Sequence, residues 1–358
     1  MIKVFVFPSH SEEAPTGVDF VRLMQPMNHL AKEKDFKVTM WEKGKFKDEE
    51  DWRKITGEND IIYFNYVSDP WAFAVMGVLA RKYGTKMVMD LDDCLWQIKK
   101  DNPASEAYKK GQEGIQTISS ICGEVDWVTT TNHYLRNVIM ENTEKNWDKI
   151  KIFPNYIDLG VYNHRCEFKD TDDIQIVHFG STTHFSDLLR NEFVRGIDKI
   201  MKEYPNVTFR TIGSFLPQFK EKWGQRYSNV FGHVDVLKWI KYRYKQYMSE
   251  ADIFVAPLVE DIYTRSKSSI KYLEVSAAKI PGCWQKIRQY EEVVENGKNG
   301  FLCETSRDWT RNIKKLIEDK KLRRKMGEEA FKTVEKDWQI SSHIKDYEDF
   351  FKSVVEPK

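Results

Sequence analysis

A short segment in the last third of the sequence combines residue types that bind phosphates and hydroxyl groups. Ser268 and Ser269 precede a run of helix-forming residues, and serine is a preferred residue at a helix N-terminus. A helix that begins there directs unpaired backbone N–H groups and the positive end of its dipole toward an anion. Lys267, Lys271 and Glu274 are spaced i, i+4 and i+7, so they share one face. The two ammonium groups suit a diphosphate, and the carboxylate suits the hydroxyls of a ribose or a sugar.

The same spacing also fits a plain surface helix. In that alternative, Lys271 and Glu274 form a solvent-exposed ion pair worth about 0.2–0.5 kcal/mol and bind no ligand. The residues alone leave both interpretations open.

A second cluster, formed by Asp90, Asp92 and Asp93, lies at the end of a predicted strand at residues 86–91. Asp90 and Asp92 form a D-x-D pattern, in which carboxylates hold a divalent cation together with a diphosphate. Alternatively, this acidic loop faces a second substrate, where an aspartate orients a hydroxyl group or stabilises developing positive charge. A third interpretation is that the aspartates only cap the end of the strand.

Both clusters must be positioned by an alternation of strands and helices. Strands are predicted at residues 2–7, 36–41, 61–66, 86–91, 127–131, 174–179, 207–212, 253–256 and 301–302. Helices are predicted at residues 18–34, 70–83, 104–123, 193–203, 238–249, 268–279 and 309–336. Strands separated by helices indicate crossover connections and parallel sheets. Because a polar stretch at 158–173 divides the pattern, we predict an α/β fold with two Rossmann-like, doubly wound domains that face a cleft.

The composition excludes several classes of protein. The 358 residues carry a net charge of +1 and are 41% hydrophobic and 13% aromatic, unlike a disordered chain or a dedicated nucleic-acid binder. No apolar run approaches the ~18 residues of a membrane span, and the start lacks signal-peptide features, so we expect a cytoplasmic protein. The five cysteines form no C-x-x-C pair, which favours reduced thiols over a zinc site. The GxGxxG, GxxxxGK[ST], HExxH and GxSxG motifs are absent, which disfavours the classes they mark.

Several segments occur in the order found in one enzyme family. They are K-S-x-I-K-Y-L-E-x-x-A-A-x-I-P at 267–281, Y-E-E-V-V-E-N-G-x-N-G-F-L at 290–302, R-x-x-M-G-x-x-A at 323–330, F-G-S at 179–181 and I-F-P-N-Y-I-D at 152–158. Through these segments the chain resembles retaining GT-B glycosyltransferases of family 4, group 1, over most of residues 150–340. The first half is more loosely similar, through residues 17–27 and 90–96.

The resemblance implies a division of labour between domains. Residues 1–160 would form an acceptor-binding domain, residues 161–336 a nucleotide-sugar-binding domain, and residues 337–358 a helix that crosses back to the first domain. The residues implied to bind the donor are Gly180, Ser181, His184, His233, Val234, Lys267, Ser268, Ser269, Lys271 and Glu274. The residues implied to be catalytic, on the acceptor side, are Asp90, Asp92 and Asp93. No metal and no cofactor other than the nucleotide-sugar co-substrate are expected.

The sequence departs from the family pattern at two places. Glu274 corresponds to the second glutamate of an E-x7-E signature, which holds the nucleotide ribose, but the first glutamate is replaced by Ser266. The usual Arg and Lys after the glycine-rich strand end are missing from residues 180–184, and we expect Lys267 to supply the charge. His184 could instead be a local hydrogen-bonding group.

We therefore predict a glycosyltransferase that moves a sugar from a nucleotide-diphosphate sugar to an acceptor hydroxyl, with retention and without metal. Two rivals are a GT-B nucleotide-sugar epimerase and a non-catalytic nucleotide-binding scaffold, the latter motivated by Ser266. The acceptor could be a polysaccharide, a lipid, a protein or a phage-type modified DNA base. The basic and aromatic run at 238–245 fits nucleic-acid contact, but we expect an amphipathic helix that packs on the sheet.

Overall fold

Runs of large apolar residues form the central strands because helices cover both faces of each sheet. In the strand Ile61–Asn65 every residue is buried, as expected for a parallel strand with helices on both sides. On the strand Ile2–Phe7, Val4 and Val6 pack into one hydrophobic cluster and Phe5 into another, since successive side chains point to opposite faces. The core of the first half therefore lies on both faces of its sheet.

The computed structural model describes residues 1–8, 16–41, 49–65, 70–98, 105, 112–165, 171–180, 185–213, 215–230 and 244–356. The first sheet has six parallel strands in the order β2-β1-β3-β4-β5-β6. These strands are β1 (Ile2–Phe7), β2 (Phe36–Met40), β3 (Ile61–Asn65), β4 (Lys86–Leu91), β5 (Trp127–Thr130) and β6 (Ile150–Ile152). The helices of this half are a π-helical turn at Asp19–Met24 followed by α1 (Gln25–Leu30), then α2 (Glu49–Glu58), α3 (Pro70–Tyr83), α4 (Gln112–Glu124) and α5 (His133–Asn142).

The second sheet repeats this architecture with six parallel strands in the order β12-β11-β10-β7-β8-β9. Its strands are β7 (Ile174–Phe179), β8 (Val207–Ile212), β9 (Tyr227–Val230), β10 (Ile253–Ala256), β11 (Gly282–Gln285) and β12 (Phe301–Cys303). Its helices are α6 (Phe185–Leu188), α7 (Asn191–Glu203), α8 (Pro217–Trp223), α9 (Tyr244–Glu250), α10 (Ile262–Arg265), α11 (Ile270–Ala277), α12 (Arg288–Glu291), α13 (Ser306–Glu318) and α14 (Lys320–Asp337).

The last helix, α15 (Ile344–Val355), packs on the first sheet although it follows the second. Phe351 meets Tyr63 of β3 edge to face, with ring centroids 5.3 Å apart. The two chain crossings between the halves are hydrogen-bonded to each other. The Ile157 N–H donates to the Trp338 carbonyl at 2.9 Å, and the Ile340 N–H donates to the Ile157 carbonyl at 3.0 Å.

The predicted fold class is confirmed, with two parallel α/β sheets. The strands predicted at 2–7, 86–91, 174–179, 207–212 and 253–256 have the predicted bounds. The helix predicted at 18–34 is divided: a π-helical turn precedes α1, in which Pro26 lacks the N–H that an uninterrupted helix would need. The region predicted as helical at 309–336 is two helices, because Asp319 ends α13 and its carboxylate caps α14 by accepting the Leu322 N–H. In the helix predicted at 238–249, residues 238–243 lie outside the described residues, and residues 244–249 are confirmed as part of α9.

Strand β11 was not predicted, since Pro281 and Gly282 suggested only the end of a helix. A Cβ on Gly282 would lie 2.6 Å from the indole ring of Trp284, so glycine leaves room for that buried ring. Within the described ranges, no helix has the length and apolar character needed to cross a bilayer.

We expect Gly327→Ala to destabilise the second half. A Cβ at Gly327 of α14 would lie 1.9 Å from the carbonyl oxygen of Lys279, whose φ of 63° already holds the backbone in an unusual conformation. The helices α11 and α14 would have to separate, at a cost of about 1–3 kcal/mol. Urea denaturation measures this loss. The control is Gly114→Ala, where a Cβ meets nothing within 4 Å; equal stability of the two variants would contradict the packing argument.

Candidate functional site

A cleft of ≈ 250 Å³ lies between the two halves, at the N-terminus of α11. The first half contributes Gly17, Val18, Val21, Asp92, Asp93 and Asn155. The second half contributes Leu258, Lys267, Ser268, Ile270, Lys271, Glu274, Gln289 and Tyr290. The cleft therefore brings together the two clusters of chemistry-bearing residues, which lie 170 or more positions apart in the sequence. Asp90 is the exception, since it is not among the residues that line the cleft.

Lys267 lines this cleft and pairs with Asp93 in the acidic loop of the other half. Its Nζ donates to Asp93 Oδ1 at 2.9 Å and Oδ2 at 3.2 Å, and it lies over the ring of Tyr263 at 4.4 Å. Burial opposes the positive charge, but the Asp93 carboxylate and the Tyr263 hydroxyl together outweigh burial and raise the pKa of Lys267. Lys267 is therefore a permanent cation in the cleft.

Lys271 follows Lys267 by four residues and lies in the first turn of α11. Burial lowers its pKa to about 8, and repulsion by Lys267 acts in the same direction. Lys271 therefore begins to lose its proton just above neutral pH, and a bound anion would favour its protonated form.

Glu274 lies deeper along α11, where Tyr162 contacts it. The Tyr162 hydroxyl donates to Glu274 Oε1 at 3.0 Å, and Tyr162 is itself buried. Burial of the Glu274 carboxyl raises its pKa to about 7, and the hydrogen bond from Tyr162 only partly offsets this. A second hydroxyl group that donates to this carboxylate would favour its ionised form.

The two serines begin the helix much as predicted. Ser269 is the N-cap residue of α11, and its side chain makes no capping hydrogen bond. Ser268 accepts a hydrogen bond from Asn155 Nδ2 at 2.7 Å. The first N–H groups of a helix lack an intrahelical partner, and the first two residues of α11, Ile270 and Lys271, line the cleft. At the position of the missing signature glutamate, Ser266 is fully buried and its hydroxyl donates to the Ile262 carbonyl at 2.8 Å.

The acidic loop divides into one structural and two cleft-lining residues. Asp90 is fully buried and accepts from both Nε (3.0 Å) and Nη2 (2.7 Å) of Arg22. It also accepts from the hydroxyls of Tyr63 and Thr129. Asp92 and Asp93 line the cleft. Burial, together with repulsion by Asp93, raises the pKa of Asp92 to about 8. The D-x-D pattern therefore does not present two uncommitted carboxylates to a cation.

Several predicted donor-binding residues lie outside the described residues. They are Ser181, His184, His233 and Val234. Gly180 is described, at the end of β7, where its N–H donates to the Ile212 carbonyl at 3.0 Å.

Sequence reasoning missed Asn155, Tyr162, Gln289 and Tyr290 as parts of the site. Asn155 was within a quoted family segment, but its partner Ser268 is 113 positions away. Tyr162 lies in the polar stretch between the halves and reaches Glu274 over 112 positions. No local pattern signals such contacts.

The pKa of Lys271 predicts a pH dependence of anion binding. Above pH 8 the uncharged amine must take up a proton when an anion binds, so affinity falls as pH rises, by up to about tenfold per unit. Pyrophosphate titrations between pH 7 and 9.5 test this. Lys271→Arg keeps its charge throughout this range, so its profile should lack the contribution of Lys271 and retain the titration of the ligand and of Asp92, whose pKa is also about 8. Identical pH profiles for the two proteins would contradict the assignment.

Comparisons with known proteins show which proteins this chain resembles. Residues 175–319 match the model of a family described as glycosyl transferases group 1. No curated protein matches the sequence.

Solved structures match over nearly the whole chain at low identity. HepE from Anabaena, in complex with UDP-glucose, is 14% identical, with a TM-score of 0.68 over 99% of this chain and 100% of its own. Sucrose-phosphate synthase from Thermosynechococcus elongatus is 13% identical, with a TM-score of 0.66 over 99% of both chains. A glycosyltransferase from Rickettsia africae is 13% identical, with a TM-score of 0.64 over 100% of this chain and 99% of its own. Residues 175–319 therefore match a group 1 glycosyltransferase domain, and the whole chain has the two-domain GT-B fold of these structures.

Proposed function

We propose that this protein transfers a sugar from a nucleotide-diphosphate sugar to an acceptor hydroxyl, with retention of configuration and without a metal ion. The observation that carries the proposal is the convergence of Lys267, Lys271 and the N-terminus of α11 on one cleft, with Glu274 about one turn along the helix. Cations and helix N–H groups bind a diphosphate, and Glu274 would accept the hydroxyls of a ribose. Since several structural neighbours hold UDP or UDP-glucose, uridine diphosphate sugars are the first donors to test.

The diphosphate is the leaving group, and its developing negative charge is the main electrostatic demand of the reaction. Lys267 and the N-terminus of α11 border the cleft, where they can stabilise that charge. Asp92 and Asp93 line the opposite wall, where a carboxylate can accept a hydrogen bond from the acceptor hydroxyl and orient it. Because Arg22 occupies both oxygens of Asp90, we leave Asp90 out of the catalytic group and give it a structural role. Since both oxygens of Asp90 accept hydrogen bonds from Arg22, Asp90 is poorly placed to chelate a cation, which supports transfer without a metal ion.

The donor and the chemistry can be tested together. Thermal-shift screening of the protein against a panel of nucleotide sugars identifies the donor, and product analysis with and without acceptors then follows the sugar. Transfer to an acceptor supports the proposal. Conversion of the donor to its epimer in the absence of acceptor would replace it with an epimerase. Binding without transfer, hydrolysis or epimerisation for any donor would indicate a non-catalytic scaffold.

The four described cysteines are unpaired, which supports a cytoplasmic location as part of the proposal.

We expect Asp92→Asn to lower the rate of transfer by about 10²-fold while changing donor affinity little, because Asp92 acts on the acceptor and not on the diphosphate. Steady-state kinetics combined with donor calorimetry separates the two effects. Asp349→Asn, in an exposed pair with Lys345 on α15, is the matched control. Unchanged turnover in Asp92→Asn would remove this residue from the mechanism.

A further inference from the structure

A buried chain of polar side chains runs from the first sheet to the start of α11. Arg22, which is 1% exposed, donates to Asp90 and also donates from Nη1 to Asn155 Oδ1 at 2.9 Å. Asn155, which is 6% exposed, donates from Nδ2 to Ser268 Oγ at 2.7 Å. Asn155 belongs to the first chain crossing and Ser268 to the donor-side helix start, so this chain connects the two halves.

The direction of each hydrogen bond in this chain is fixed by chemistry. A guanidinium group can only donate, so the atom of Asn155 that faces Arg22 must be the carbonyl oxygen. The amide NH₂ of Asn155 therefore faces Ser268, whose oxygen must accept. Reversing the amide would place two donors against each other and leave a buried charged N–H without an acceptor.

The consequence concerns the proton of the Ser268 hydroxyl. Its oxygen is engaged as an acceptor, and within the described parts of the chain the hydroxyl donates to no other group. Ser268 and Asn155 both line the cleft. With Asn155 donating to its oxygen, the Ser268 hydroxyl can direct its proton into the cleft, where a ligand can accept it.

We propose that Arg22 and Asn155 are positioning residues that set Ser268 as an obligatory hydrogen-bond donor to a phosphate oxygen of the donor substrate. This inference rests on the proposed function, because it requires a diphosphate in the cleft. It adds that Arg22, in the core of the first half, determines through Asn155 in which direction the Ser268 hydroxyl of the second half donates its hydrogen bond. Donor affinity thus depends in part on Arg22, which is buried behind Asn155.

The test is a double-mutant cycle on Asn155 and Ser268, with affinity for the donor, or for its nucleoside diphosphate, measured by calorimetry. In Asn155→Asp a carboxylate still accepts from Arg22 but offers Ser268 only an acceptor, so the serine proton turns away from the cleft. Ser268→Ala removes that proton, and Ser268→Thr keeps it. We expect Asn155→Asp and Ser268→Ala each to weaken binding about tenfold or more, with Ser268→Thr close to wild type.

The double variant separates polarity from simple charge repulsion. If Asn155 acts through the Ser268 proton, Asn155→Asp costs several-fold less affinity in the Ser268→Ala background than in the wild type. Equal costs in both backgrounds would show plain repulsion by the new carboxylate and would overturn the inference. Melting temperatures identify a variant that fails to fold, and Asn155→Ala, which adds no charge, then replaces Asn155→Asp in the cycle.

The outcomes distinguish this inference from the function on which it rests. If the wild type binds a nucleotide-diphosphate sugar and the two substitutions do not couple, only the polarity inference falls. If the wild type binds no nucleotide sugar or nucleoside diphosphate, the proposed function and the inference fall together.

Discussion

Lys267→Met should weaken donor binding by about 100-fold, the largest effect on affinity that we expect. The substitution removes an ammonium that can hydrogen-bond a phosphate, a loss of about 1.5–3 kcal/mol. It also leaves Asp93, which Lys267 now holds at 2.9 Å, as an uncompensated carboxylate beside the diphosphate. Both changes weaken binding of the same ligand, so both lower the affinity for the donor.

The pairing of Lys267 with Asp93 provides a rescue experiment. Removing the second charge in Lys267→Met/Asp93→Asn should recover part of the lost affinity, because the repulsion disappears with the carboxylate. Lys298→Met, at an exposed pair with Glu295, is the matched control and should bind donor like the wild type. Calorimetry with the donor found by screening measures all of these. Wild-type affinity in Lys267→Met would contradict the site assignment.

Asp90→Ala should lower the free energy of unfolding by about 3–5 kcal/mol, the largest effect on stability that we expect. The Arg22–Asp90 ion pair is 1% and 0% exposed, and removing the carboxylate leaves a buried guanidinium without its counter-ion. The Tyr63 and Thr129 hydroxyls would lose an acceptor as well. Urea denaturation of the variant and the wild type measures the difference.

A surface ion pair in the same half is the control for this prediction. Glu49 and Arg53 pair on α2 with both side chains more than half exposed, so Glu49→Ala should cost less than about 1 kcal/mol. The double variant Arg22→Met/Asp90→Leu should recover much of the stability lost in Asp90→Ala, since it removes both buried charges. An Asp90→Ala protein as stable as Glu49→Ala would show that the pair is not a structural anchor.

The sequence was most informative where structure is local. Buried runs such as 61–65 and 253–256 are recognisable because a strand covered on both faces must be apolar throughout. The start of α11 and the grouping of Lys267 and Lys271 follow from spacing along a single helix. Short strands with a glycine, such as β11, carry no such signal, because their residue types depend on packing against residues that are distant in the sequence.

The contacts that assemble the site are long-range and could not be predicted in this way. Lys267 meets Asp93 across 174 positions, and Arg22 meets Asp90 across 68. Asp90, Asp92 and Asp93 look equivalent along the chain, but Asp90 lies within β4 and is fully buried, whereas Asp92 and Asp93 follow the end of that strand and line the cleft. Only the fold separates the structural aspartate from the two that face the cleft.

The central claim is that the cleft at the N-terminus of α11 binds a nucleotide-diphosphate sugar. Calorimetric titration of the wild type and of Glu274→Ala with the nucleotide sugars that raise the melting temperature tests it most directly. We predict saturable binding to one site in the wild type and a loss of about tenfold or more in the variant, where the ribose hydroxyls lose their acceptor. Absence of binding for every nucleotide sugar, or equal affinity in both proteins, would contradict the claim.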